Sequence, residues 1–116
     1  MKPAGYDIEI IQGQTFARAV VWKDSDGEPI DLTGYGARMQ VRRSKASPDV
    51  LFELTTANGR VAIDGAAGKV TLTITAEESA AFTWRRGVYD LELEAGDGVV
   101  RRLLEGAVEV NREVTR

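Results

Sequence analysis

Cysteine and histidine are both absent from this 116-residue sequence. Without them no disulfide can staple the fold, no zinc site can be built on sulfur or imidazole, and no Ser-His or Cys-His pair can activate a nucleophile. Proline occurs three times, and Phe, Tyr and Trp together make up 7% of the chain. No linker or low-complexity tail stands out, and the basic residues have no interleaved aromatics on which bases could stack. No apolar run approaches the roughly 20 residues of a membrane-spanning helix. Asp7 and Glu9 interrupt what would have to be the apolar core of a secretory signal. Charge of one sign is lacking too: 15 basic and 18 acidic residues leave a formal net charge of −3. A mildly acidic chain of this length is expected to be one domain spanning residues 1–116, made and folded in a cytoplasm, with no nucleic-acid or membrane partner.

What is present is a period of two. Tyr6, Ile8 and Ile10 alternate with Asp7 and Glu9; Ala37, Met39 and Val41 alternate with Arg38, Gln40 and Arg42. Val70, Leu72 and Ile74 alternate with threonines, and Tyr89, Leu91 and Leu93 with Asp90, Glu92 and Glu94. The run from Phe16 to Trp22 is apolar on both faces, which predicts a central or covered strand. Segments at 99–104 and 107–110, with weaker ones at 51–54 and 61–63, bring the total to seven or eight strands. Between them stand Asp24-Ser25-Asp26-Gly27, Asn58-Gly59, Asp64-Gly65 and Asp97-Gly98, the dipeptides of tight hairpins. Short strands with turns every 8 to 12 residues predict an all-β antiparallel sandwich or barrel.

One segment departs from that period. Thr75-Ala76-Glu77-Glu78 has the spacing of a capping box and predicts a short helix near 76–83, crossing between sheets, with Phe82 turned inward. Tyr89 opens the strand that follows. Immunoglobulin-like sandwiches place a tyrosine corner there, a buried ring whose hydroxyl bonds back to backbone at the corner. No cysteine follows two residues later, which excludes the antibody type. The expected fold is an immunoglobulin-like antiparallel β-sandwich, with Phe82 and Tyr89 as its structural corner.

Candidate chemistry is sparse. Asp24, Asp26 and Glu28 crowd one turn but lack the further oxygens and closing bidentate Glu of a calcium loop, so they read as hairpin chemistry. Asp90, Glu92 and Glu94 share a strand face and could pair as glycosidase carboxylates; the same pattern is that of a solvated face, some of it opposite Arg101 or Arg102. Arg38, Arg42, Arg43 and Lys45 form the densest basic group and suit a charged, partner-facing rim. Trp22 and Trp84 read as core or corner residues, or alternatively as sugar-stacking platforms. No catalytic, cofactor-binding or metal-binding residue is assigned.

Val99-Val100-Arg101-Arg102-Leu103-Leu104 is the segment that alternation cannot explain. A one-sided sheet cannot bury Val99 with Leu103 and also Val100 with Leu104. Either this strand meets a second subunit, with Val100, Arg102 and Leu104 as the interface, or a bulge near Gly106 re-phases it.

Ile11-Gln12-Gly13-Gln14-Thr15-Phe16, the Asp31-Leu32-Thr33-Gly34-Tyr35 turn, Met39-Gln40-Val41-Arg42, the Thr75 corner, Tyr89-Asp90-Leu91-Glu92-Leu93 and the ending from Glu105 to Arg116 together resemble a known family. It comprises small structural proteins encoded in tailed phages and prophages and, more distantly, the immunoglobulin-like N-terminal domain of phage upper baseplate proteins. The similarity spans nearly the whole chain. It implies a non-enzymatic virion component made in the host cytoplasm: a tail, baseplate or head-tail accessory module. Such a module joins other phage structural proteins and is present in multiple copies or as a homo-oligomer. Gly13 and Gly34 would permit turns, and no catalytic residue or cofactor is implied. The alternative is a carbohydrate-binding domain for host surface glycans.

Overall fold

The computed structural model describes residues 4–112 and Val114. In chain order its elements are β1 (Ala4–Gly5), β2 (Ile8–Ile11), β3 (Phe16–Val21), β4 (Gly36–Arg42), β5 (Phe52–Thr55), β6 (Val61–Asp64), β7 (Lys69–Ile74), α1 (Ala76–Ala80), β8 (Arg86–Glu94) and β9 (Val100–Asn111). The larger sheet runs β1-β9-β8-β4-β5, with β2 also paired to β9, and the smaller runs β3-β7-β6. This is an all-β sandwich of two sheets. It is antiparallel except at its N-terminal strand: β1 and β2 pair β9 in parallel, in one constant register from Ala4↔Leu104 to Ile11↔Asn111.

Alternation decides what each sheet buries. Met39 and Val41 of β4, Leu91 and Leu93 of β8, and Val108 and Val110 of β9 face Val61 of β6 and Val70, Leu72 and Ile74 of β7, in one core completed by Leu32 and Trp22. Their polar neighbours Arg38, Gln40, Asp90 and Glu92 stand on the outer face of the larger sheet. Burying apolar area at about 25 cal/mol per Å² is the main term that holds the two sheets together.

The apolar run at 16–22 is not central. β3 pairs only with β7 and forms the edge of the smaller sheet, with Ala17, Ala19 and Val21 exposed. Two of its apolar positions are alanines, whose side chains expose too little area to demand a cover. Among the four turn dipeptides, Asp64-Gly65 and Asp97-Gly98 close hairpins between paired strands. Asp24-Gly27 closes on the single bridge Lys23↔Pro29. Asn58-Gly59 instead carries the chain from β5 in one sheet to β6 in the other.

β9 resolves the conflict at 99–104. Leu91 pairs Leu104, but the next residue, Glu92, pairs Arg102, so Leu103 is an extra residue and the bulge lies there rather than near Gly106. A bulge turns two successive side chains to the same face, and Leu103 and Leu104 are both buried, at 6% and 5% exposure. Val99 and Val100 are left outside at 45% and 52%. Leu104 is therefore a core residue, and its expected place in an interface is corrected.

α1 is shorter than expected. The capping box is formed: the Thr75 hydroxyl accepts from the Glu78 N–H at 3.1 Å, and the Glu78 carboxylate accepts from the Thr75 N–H at 2.9 Å. The helix stops at Ala80, where Ala81 and Phe82 donate to carbonyls only three residues back. Gln12, buried in the β2–β3 turn, donates its amide to the carbonyls of both Ala80 and Phe82 and so caps the helix from another part of the chain.

Candidate functional site

The outer face of the larger sheet twists into a cleft of about 660 Å³. β4 supplies Arg38, Gln40 and Arg42, β8 supplies Asp90 and Glu92, and β9 supplies Arg102, all placed outward by the alternation that puts Met39, Val41 and Leu91 in the core. The charges are matched across strands. Arg38 Nη2 lies 3.3 Å from Glu92 Oε1, and Arg102 Nε lies 3.4 Å from Asp90 Oδ2. Beside them a polar chain runs across three groups: Arg42 donates to Gln40 at 2.8 Å, and Gln40 donates to Glu53 at 2.8 Å. A second Arg42 nitrogen is held by the Ser47 carbonyl at 2.9 Å. Exposed pairs of this kind contribute at most about 1 kcal/mol each to stability, so they define a pattern of charge more than they hold the sheet together.

At the lower rim of this face Val100 stands beside a shallow hollow of about 230 Å³, lined also by Arg38, Glu92 and Glu94. Of the three expected interface residues, Val100 and Arg102 are thus exposed on one face while Leu104 is buried beneath it. The floor at the other rim is made by Gly5, Asp7 and Gly106. Sequence reasoning missed these; the signal was a glycine inside a strand pattern, which marks close approach of another backbone. A Cβ at Gly106 would collide with the Tyr6 carbonyl. Asp7 accepts from the Ala107 N–H at 3.0 Å, completing that junction.

The two corner residues belong to separate clusters. Phe82 packs edge-on to Phe52 and tilted against Trp84, each at 4.8 Å between ring centres. Arg60 lies over Phe52 and pairs with Glu78. Tyr89 does not bond back at its own corner. Its hydroxyl donates to the Tyr6 carbonyl on the N-terminal strand, 83 residues away in sequence. Burial pushes the Tyr89 phenol well above its ordinary value of 10.0, with the neighbouring Tyr6 and Asp7 acting in the same direction. Asp31, at the Asp-Leu-Thr-Gly turn, is held below the usual carboxylate range by the hydroxyl and N–H of Thr33.

Asp90 and Glu92 each face an arginine, as the sequence suggested for the hairpin, although the partner of Glu92 is Arg38 rather than Arg101. Trp22 and Trp84 are buried at 8% and 6% exposure, so neither presents the open ring that stacking on a sugar requires. Asp24 accepts from the N–H groups of Asp26 and Glu28, which is turn chemistry. Among the described residues no group of three or more acidic side chains converges as a metal site would, and no helix is long and apolar enough to cross a membrane. No protein-family model matches this sequence, and no curated protein matches it.

Proposed function

We propose that this chain is a non-enzymatic protein-association module of a tailed-phage particle, joining other structural proteins of the tail, baseplate or head-tail junction. The observation that carries the reading is the outer face of the larger sheet, with cross-matched charges in its cleft and Val100 exposed in the neighbouring hollow. Arginine-rich, mixed-charge surfaces with a small apolar element suit reversible docking: the charges set orientation and reject wrong partners, and the apolar group adds contact area. The phage assignment rests on the resemblance of the turn and strand motifs. In a symmetric particle, many copies turn a modest contact into firm attachment.

Peptide mass spectrometry on purified particles, with copy number measured against the major capsid protein, tests this reading. A fixed multiple is expected, and that multiple identifies the symmetry that hosts the chain. A Val100→Lys, Arg102→Glu variant is expected to fold normally and to drop out of the particle. Absence of the wild-type chain from particles would overturn the assignment.

A further inference from the structure

Charge that is balanced along the sequence, with 7 basic and 8 acidic residues in 1–58 and 8 and 10 in 59–116, is sorted in space by the fold. β9 has 12 residues, about 36 Å at roughly 3.3 Å per residue. The molecule measures 44 × 29 × 25 Å, so the β8–β9 hairpin follows its long axis and the turns gather at two ends. One end holds the hairpin tip, the β6–β7 turn and the β3–β4 connection. There Leu32 donates to the Gly65 carbonyl and Trp22 to the Gly68 carbonyl, each at 2.8 Å. The other end holds the β4–β5 loop, α1 with its link to β8, and the end of β9. There Val110 donates to the Arg85 carbonyl at 2.8 Å and Leu51 to the Val41 carbonyl at 2.7 Å.

The first end is acidic. Asp24, Asp26, Glu28 and Asp31 lie on the connection, Asp64 at the turn, and Glu94 and Asp97 at the hairpin, all exposed, against three cations, Lys23, Lys69 and Arg101. Among the described residues none of these carboxylates forms an ion pair. The second end is basic. Arg43 and Lys45 on the loop, Arg85 before β8, Arg86 at its first position and Arg112 after β9 are exposed, joined by the half-buried Arg42 and set against Glu9, Asp49, Glu77 and Glu109, the last of them paired with Arg86. Exposed valines mark both ends as well: Val21, Val99 and Val100 at the acidic one and Val50 at the basic one.

We propose that copies of this chain associate head to tail, the acidic end of one docking on the basic end of the next. The inference rests on reading the chain as an association module and adds a partner, a second copy. Opposite charge supplies steering and orientation, and the exposed valines at both ends supply apolar contact. The larger sheet's flank is already neutralised by its own pairs, which disfavours side-by-side packing. Two different surfaces meet in each contact, so the array closes into a ring or extends as a filament.

Sedimentation velocity and small-angle X-ray scattering on the full chain test this. At about 0.01 M salt, where the screening length is roughly 30 Å, the chain is expected to self-associate; at about 1 M, where it is roughly 3 Å, to be monomeric. The dimer's maximum dimension should be near twice the 44 Å length. A Glu28→Lys, Glu94→Lys variant and an Arg43→Glu, Arg85→Glu variant should each stay monomeric alone, with unchanged circular dichroism, and associate when mixed. A monomer at every salt, an assembly no longer than one molecule, or a wild-type association untouched by either variant would overturn the proposal. The proposed function is judged separately: a chain that is monomeric in solution but present in particles defeats only the head-to-tail inference.

Discussion

The hydroxyl of Tyr89 donates to the Tyr6 carbonyl from a ring that is almost wholly buried, and Gly106 leaves the space in which that carbonyl sits. Removing the hydroxyl leaves a carbonyl without its donor at the N-terminal strand. Tyr89→Phe is therefore expected to cost on the order of 1 kcal/mol or more, read as a lower midpoint in urea. The linkage with pH has a definite sign. The phenol is raised in the folded chain, so its contribution is whole below the unfolded value near 10.0 and fades as pH rises from there toward the folded value. The gap between wild type and Tyr89→Phe should narrow above pH 10; a gap that widens there would mean that the hydroxyl is not held neutral by the fold. The sequence points to Tyr89 as a buried tyrosine bonded to backbone, but places it at a corner opening the strand, whereas it stands inside β8 and reaches the N-terminal segment. Its partner is not legible there, because pairing across 83 residues leaves no local trace.

At the scale of elements, two devices carry most of the information. The capping box is read directly from Thr75 and Glu78, since its donors and acceptors lie within four residues of each other. What the spacing omits is Arg60, which reaches Glu78 from the β5–β6 turn. The Glu78 carboxyl is held below its ordinary value of 4.5, chiefly by the Thr75 N–H with Arg60 helping against a burial cost. A depressed carboxyl contributes stability above its unfolded value and loses it as pH falls through the folded one. Glu78→Gln should thus lower the thermal midpoint at pH 7 and match wild type near the acid limit; an equal deficit at both would assign the loss to packing. The second device is the bulge. Alternation showed that 99–104 could not lie in one simple register but put the slip near Gly106 instead of at Leu103, because Leu103 and Leu104 differ in nothing local. Leu104→Lys places a charge in the core and should cost more than about 3 kcal/mol, whereas Val100→Lys at the exposed rim should stay within about 0.5 kcal/mol. Comparable unfolding midpoints for the two would contradict the register of β9.

For the whole molecule, the sequence predicts seven or eight strands against the nine described, and the apolar face of most of them, but not where each sits in a sheet. β3 looks internal because Ala17 and Ala19 count as apolar, while its neighbour is decided by distant pairings such as Phe16↔Ile74. The segregation of charge is hidden for the same reason, since acids from residues 24–31, 64 and 94–97 meet only when three separate connections reach one end. The longest-range pairing of all is that of the N-terminal strand, Ile10↔Val110, which waits for the last strand to be in place. Closing a loop of that length before other contacts exist is entropically unfavourable, so this pairing should form late. Ile10 is 1% exposed, and Ile10→Ala should cost roughly 2–5 kcal/mol. If β2 docks after the rate-limiting step, nearly all of that loss will appear as faster unfolding, with the folding rate almost unchanged. Stopped-flow folding and unfolding across a range of urea separates the cases. A folding arm that slows in proportion to the lost stability would place β2 in the nucleus, and the order of assembly argued from its register would be wrong.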